Sequence, residues 1–568
     1  MQLAFLKSKS SKRIAVTIFT IFLFLLISFL MVYQTQIYQG KIWAYLGSST
    51  DRFHMMRIEG LYHSLQRHQY FPLVNMSFMG GFGYLVNVFN SDFLLYPGAI
   101  LRLMGFSSAQ TLVGLNFLFN FLTFGVAFLC FYKVSKKYMN SLVFSFVYTM
   151  STYRLHEVLF RHDIGEVGAL LCLPVAMLGI YEIFYGDRRQ WLYLAFGMTG
   201  IIYSQAIAPI LVAVLIVIIA LCQINELKKT PKRLLSLLWA ALSSGLMSLA
   251  YFLPMIEQMH HTKFILGQSK GMLPKGAQDF SDVTKWSFNN TLSQPNIGIT
   301  LILATIIILI SYMRIKNRAV KHFAIIGAVM LLASSKLFPW FIINATPLKV
   351  IQYPWHFDMI ITLLLAIFVA ADPLNIFTTK WAKSGLMIFV ALMAFSASSR
   401  LINDSPLQLV SYDEYNDLDS FSIGTGQGYL PAGTSLGELQ RTAHKPKIQS
   451  GKAKISNFRQ YGTRLSFDFK NAKHAKVDLP IIGYYGFQSS QSTGQVSQLK
   501  MDKKNNNLAQ VKINGKGKVI VDYFETATQK VTRRISFLSF LIIVAIVFIN
   551  KLNLVDFDRI EGLRKTRQ

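Results

Sequence analysis

The chain is patterned as long apolar runs separated by short basic loops. Runs long enough to cross a bilayer (roughly 17–25 residues) or nearly so fall at 13–34, 109–132, 140–153, 166–185, 191–203, 205–223, 233–255, 297–313, 319–334, 355–371, 384–398 and 535–550. The first, Ile14 to Val32, lacks a small-residue cleavage site and reads as a retained helix, not a signal peptide. Basic clusters fall at alternate ends of these runs: Lys7 to Arg13, Lys133/Lys136/Lys137, Arg188/Arg189, Lys228 to Arg233, Arg314/Lys316/Arg318, Lys380/Lys383 and Arg564/Lys565/Arg567. With those ends taken as cytoplasmic, both termini are inside and the segments 35–108, 154–165, 256–296, 335–354 and 399–534 are outside.

Two outer segments differ from simple loops. Phe93 to Met104 is apolar but too short to span, which predicts an interfacial or re-entrant helix. The segment 399–534 alternates with period two, as in Arg464-Leu465-Ser466-Phe467-Asp468-Phe469 and Gly517 to Phe524, with Asn514-Gly515 as a hairpin turn signal between strands. The expected architecture is a polytopic α-helical membrane protein of about twelve transmembrane helices with a small extracytoplasmic β-sandwich. Its parts are a multi-span membrane domain over 1–398 with outer loop 35–108, a β-rich domain over 399–534, and a last span with a basic cytoplasmic tail over 535–568.

Composition agrees: of 568 residues 52% are hydrophobic and 15% charged, too apolar for a soluble enzyme. The formal charge of +29 would suggest nucleic acid in a soluble chain, but here much of it lies in the loops that set orientation, and nucleic acid is not an expected partner. Cys130, Cys172 and Cys222 lie in or beside apolar runs and offer neither a disulfide framework nor metal-ligand spacing. No P-loop, zinc-protease or Gly-x-Ser-x-Gly motif occurs.

Chemistry-bearing residues gather at the outer ends of the spans. Asp51, His54 and Arg57 are spaced i, i+3, i+6, so on a helix they share one broad face, with Ser49 or Thr50 as its cap. A carboxylate there can take a proton from a hydroxyl or hold a cation, and a guanidinium fork suits phosphate oxygens; the plain alternative is a solvated surface helix. The second cluster runs Arg154-Leu155-His156-Glu157 and Arg161-His162-Asp163-Ile164-Gly165-Glu166. Asp163 with Glu166 fits a helix cap. Capping leaves Arg154, Arg161 and the two histidines unaccounted for, and ionisable groups between apolar runs are costly unless they face water or each other. Tyr203-Ser204-Gln205 reads as a polar bend, and Tyr353, Trp355 and His356 as interface anchors.

Asp51-x-x-His54, Gly80-Gly81-Phe82-Gly83-Tyr84 with Tyr96-Pro97, Arg161 with Glu166 and Pro174, Gln352-Tyr353-Pro354-Trp355 and Gly428-Tyr429-Leu430-Pro431 together resemble bacterial membrane proteins with a 6-pyruvoyl-tetrahydropterin synthase-related domain. These are similar to YfhO-type proteins and to the wider GT-C glycosyltransferases. The chain departs from that pattern in two places: His356 stands where an arginine is expected, and Gln205 where a histidine is common. The resemblance implies transfer of a sugar from a polyprenyl-phosphate donor at the outer leaflet, with a divalent cation in many such enzymes and none in others. It maps the catalytic base onto Asp51.

The expectation is therefore a glycosyltransferase of the cell membrane acting on a cell-envelope acceptor. Asp51 is the base, Arg57, Arg154 and Arg161 hold the phosphate, and His54, His162, Asp163 and Glu166 position the sugar or a cation. The outer domain, with more Lys/Arg than Asp/Glu, is expected to hold an anionic cell-envelope polymer. Two rival readings are a transporter or flippase of lipid-linked sugars, which needs polar residues deep in the spans, and a non-catalytic anchor for a polymer-binding outer domain.

Overall fold

A computed structural model describes residues 2–37, 40–44, 50–268, 276–343, 346–351, 353–404 and 408–551. A helix coincides with each of the twelve apolar runs, and among the described residues six are long and apolar enough to cross a membrane: Arg13–Ile37, Ser108–Ser135, Ile164–Phe184, Pro354–Ala371, Lys380–Asp404 and Ala527–Phe548. A seventh is counted if Lys232–Met247 and Leu249–His261, bent by 66° at their junction, act together. The other apolar runs form shorter helices. Helices such as Tyr138–Thr149 and Leu192–Ile202 are 12 and 11 residues long, and at about 1.5 Å per residue they fall short of a ~30 Å hydrocarbon layer. The first and last long helices turn apolar side chains outward, with Ile18 and Phe537 each 61% exposed, as a lipid-facing surface requires.

Two apolar cores result. One runs through the helix bundle; the other joins the outer loop to the sheet, packing Phe78, Phe82, Tyr84 and Val86 against Phe467, Phe469, Val477 and Val519. Within the short apolar stretch Phe93 to Met104 a helix forms over Tyr96–Leu103, with Ile100 and Leu103 exposed. Strand β1 (Lys41–Trp43) pairs antiparallel with β2 (Leu409–Ser411), so the chain leaving the first span is tied to the chain following the Lys380–Asp404 helix.

The strand-patterned segment forms one antiparallel sheet, not the expected sandwich. Long strands β3 (Lys447–Tyr461), β4 (Arg464–Ile482) and β8 (Leu508–Tyr523) lie in that spatial order. The short β5 (Phe487–Gln488), β6 (Thr493–Val496) and β7 (Lys500–Asp502) line the other edge of β8. No second sheet is needed, because the outer loop covers the apolar face. Asn514-Gly515 is likewise not a turn: Gly515, at φ +76°, sits within β8 opposite Ala472, where the register shifts. Left-handed backbone here makes a bulge that bends a long strand.

The Gly80 to Tyr84 motif shapes the loop under the sheet. Gly83 has φ +84°, and a Cβ there would lie 2.8 Å from the Met76 sulfur, so both conformation and space call for glycine. The turn closes with Tyr84 and Asn75 exchanging backbone hydrogen bonds of 2.8 and 2.9 Å.

Candidate functional site

The Thr50–Gln66 helix is not a solvated surface helix. Phe53 to Gly60 are buried along it, and His54 is 4% exposed. Asp51 lies on this helix one turn before His54, and its side chain lies outside the described residues, as do Ser49 and Gln352.

The second cluster is built by an irregular turn. The backbone widens to a π-type turn over His156–Arg161, steps through His162 at φ +49°, and re-enters regular helix at Asp163. Wide turns of this kind commonly mark functional sites. Asp163 Oδ1 accepts the Glu166 backbone N–H at 3.1 Å, so the expected cap forms. Its other oxygen, Oδ2, accepts from Arg161 at 3.2 Å.

Arg161 is the hub. Its guanidinium donates to Glu157 Oε2 at 2.7 Å and to Glu166 Oε2 at 3.2 Å, besides Asp163, and lies over the Trp355 ring at 4.8 Å. Glu157 and Glu166 are fully buried, whereas the side chains of Arg161 and Asp163 remain 23% and 15% exposed. Around Glu166 the Tyr153 hydroxyl donates to Oε1, Gln205 Nε2 donates to Oε2 at 3.0 Å, and His356 Nε2 lies 3.8 Å from Oε2. Both departures from the family pattern, Gln205 and His356, therefore meet at one carboxylate.

The two sequence clusters meet as well. His54 Nε2 lies 3.6 Å from Asp163 Oδ1, while Arg57 Nη1 approaches His54 Nδ1 at 3.3 Å. A guanidinium only donates, so Nδ1 accepts and the proton of a neutral His54 sits on Nε2, facing Asp163. Burial holds the His54 pKa below its ordinary value, against the raising effect of the Asp163 hydrogen bond and charge. Burial alone would raise Asp163; the His54 hydrogen bond and the Arg161 charge outweigh it and hold the carboxyl well below the usual range. Burial pushes Glu157 the other way, well above the ordinary carboxylate range, despite Arg161. Within one cluster the two carboxyls are thus pushed in opposite directions, the kind of environment by which acid and base roles separate.

Glu157, Asp163 and Glu166 can bring one oxygen each within 4.8 Å of one another, a donor set suited to a hard divalent cation. In this arrangement Arg161 already supplies the positive charge among them.

Three expected site residues sit elsewhere. Arg154 is completely buried and donates to Asn120 Oδ1 at 2.8 Å, Thr123 Oγ1 at 3.2 Å and the carbonyls of Thr149 and Phe119. It ties the Tyr138–Thr149 helix to the Ser108–Ser135 helix, and its expected place on a phosphate is corrected accordingly. Arg57, 2% exposed, spends Nη2 on the carbonyls of Asn90 and Ser91, each at 2.8 Å, and on Asp92 at 3.0 Å, so it borders the site through His54 while its buried Nε–H has no partner. His162 faces away and donates through Nε2 to the Trp43 carbonyl at 2.8 Å, anchoring β1.

Sequence reasoning left out Asp92, Tyr153 and Trp355 as site members. Trp355 was legible only as an interface ring; a cation 4.8 Å from its centroid is a tertiary fact.

No family model and no curated protein matches the chain. Among solved structures it is similar to ArnT from Cupriavidus metallidurans bound to undecaprenyl phosphate, at TM-score 0.37 and 10% identity over 75% of this chain and 78% of that one. It is also similar to the Archaeoglobus fulgidus oligosaccharyltransferase in its apo form, at TM-score 0.36 and 13% identity over 67% of this chain and 56% of that one. Likeness at this level says nothing of activity.

Proposed function

We propose that the protein is a GT-C-type membrane glycosyltransferase that moves a sugar from a polyprenyl-phosphate donor to a cell-envelope acceptor. The observation that carries this reading is the 3.6 Å approach of His54 to Asp163, which joins the Asp51-His54 helix to the Arg161 cluster at one rim of the bundle. Apolar helices flank that rim, so a lipid chain can lie in the bilayer while its phosphate reaches Arg161.

In this mechanism Asp51 takes the proton from an acceptor hydroxyl as its oxygen bonds to the anomeric carbon. The bond from that carbon to the phosphate oxygen breaks, and polyprenyl phosphate leaves with the electron pair. Arg161, the partly exposed guanidinium of the cluster, stabilises the charge growing on the phosphate. Asp163 and Glu166 keep it aimed, and His54 links that group to the helix carrying Asp51. Arg57 and Arg154, expected on the phosphate, have no place in this step.

The sheet supports an anionic polymer as acceptor or tether. Lys452 stands opposite Lys473, Lys454 opposite Lys470 and Lys476 opposite Lys512, all exposed. Like charges directly across a sheet are destabilising, and a bound polyanion relieves the repulsion.

The test is to incubate purified protein with labelled polyprenyl-phosphate sugars and cell-envelope extract, with and without divalent cations. Transfer of label with release of polyprenyl phosphate is the expected result. Intact donor across a panel of sugars, from folded protein in lipid, overturns the reading.

A further inference from the structure

A second chemistry lies at the opposite end of the bundle. The Ser108–Ser135, Tyr138–Thr149, Ile164–Phe184, Arg318–Ala333 and Asp358–Ala371 helices enclose a cavity of about 240 Å3. It meets the Ile164–Phe184 helix between Pro174 and Tyr181, roughly 12–22 Å along the axis from Glu166 at about 1.5 Å per residue. Pro174 shapes that wall. Proline has no N–H to offer Leu170, and the freed Leu170 carbonyl accepts instead from the Tyr148 hydroxyl at 2.6 Å.

The cavity is amphipathic. Phe144, Leu178, Phe323 and Leu363 form its apolar depth, and Lys137 with Asn140 its polar end. Asn140 is 5% exposed; its oxygen accepts from Lys383 Nζ at 2.7 Å and its amide donates to the Ala370 carbonyl at 2.7 Å. Lys137 thus lines the polar end, and Lys383 reaches it through its bond to Asn140. No acidic residue occurs between 130 and 150, and the nearby Asp372 is spent on the backbone N–H groups of Ile376 and Phe377 at 2.8 and 2.9 Å. An apolar cavity of roughly 150 Å3 already takes up benzene, so this one has room for the end of a hydrocarbon chain. The same helices carry outward apolar side chains, Leu129 at 64% and Val329 at 57% exposure, the kind of surface a lipid meets.

We propose that this cavity takes up part of one chain of an anionic phospholipid whose phosphate rests on Lys137 and Lys383. The site is separate from the sugar-transfer cluster and stands whether or not that activity is found.

The experiment uses the full chain purified in mild detergent and given equal phosphatidylglycerol and phosphatidylcholine, with retention read by native mass spectrometry. Phosphatidylglycerol is expected to be held at least 10-fold over phosphatidylcholine, the preference to vanish in Lys137→Glu/Lys383→Glu, and retention of either lipid to be lost in Val320→Trp, which fills the cavity. A phosphatidylglycerol with a photoreactive group at its tail end, used on the unaltered protein, is expected to label peptides containing Cys130 or Met177. Equal retention of the two lipids, or labelling spread over the outward helix faces as annular lipid only, overturns the proposal.

Discussion

His54 Nε2 lies 3.6 Å from Asp163 Oδ1, and this contact ties the Thr50–Gln66 helix to the Arg161 cluster. A buried imidazole held by Arg57 on one nitrogen and faced by a carboxylate on the other cannot wander. It fixes the helix carrying Asp51 relative to Arg161. His54→Ala removes that tether and leaves a cavity. The expected outcome is a loss of transfer of at least 10-fold, with most of the loss in kcat and the protein still folded. Asp163→Asn keeps shape but removes charge, and is expected to cost more, since Arg161 loses one of its three carboxylates. Steady-state kinetics beside a thermal melt separates the two; wild-type turnover in both variants would remove the contact from the mechanism.

The proposed mechanism gives the proton-transfer role to Asp51. Asp51→Asn retains size and helix position, so insertion and melting temperature should be unchanged while transfer falls at least 10²-fold, the low end of what a general base supplies. Donor binding, measured by retention of labelled polyprenyl-phosphate sugar, should persist. Full activity in this variant assigns the base elsewhere.

Much of this arrangement was legible in the sequence. The apolar runs locate helices because burial in lipid or in a bundle demands them. The Asp163-x-x-Glu166 cap forms because the pattern is local. Pairings that need two distant elements were not legible. Arg154 reads as a charge in an outer loop until Asn120 and Thr123, polar residues inside an apolar run, are seen to meet it. Arg57 and Asp92 show nothing of each other in sequence, yet they pair at 3.0 Å. Asn514-Gly515 misled because the same left-handed backbone that closes a hairpin also bulges a strand.

Arg154 and Arg161 should fail in opposite ways. Arg154 is fully buried, with both terminal nitrogens of its guanidinium bonded inside the bundle. Arg154→Ala strands Asn120 and opens a void, a loss on the order of 3–5 kcal/mol in stability of the kind seen when buried networks lose one partner. Arg161 is partly exposed and faces the rim. Arg161→Lys keeps a charge but loses the fork that spans three carboxylates, so activity should drop 10-fold or more with a smaller change in melting temperature. Paired melts and turnover numbers on the two variants check this; a larger stability loss for Arg161→Lys than for Arg154→Ala would reverse the roles.

Asp92 gives a pH signature of its own. Burial raises its pKa from 3.8 to about 6, against the pull of Arg57 at 3.0 Å. A carboxyl raised on folding keeps its proton in the folded state over a range where the unfolded chain has released it. Its contribution to stability is therefore fully present below pH 3.8, declines as pH rises toward 6, and is level beyond. The span of about two pH units corresponds to on the order of 3 kcal/mol. Asp92→Asn retains the shape and one hydrogen-bonding oxygen for Arg57 but cannot titrate. Denaturant melts of the two proteins between pH 4 and pH 7 should show a wild-type decline that the variant lacks, so that the stability difference between them changes across that window and is constant above it. Parallel curves throughout would mean that Asp92 titrates alike in the folded and unfolded states, with the pull of Arg57 offsetting burial.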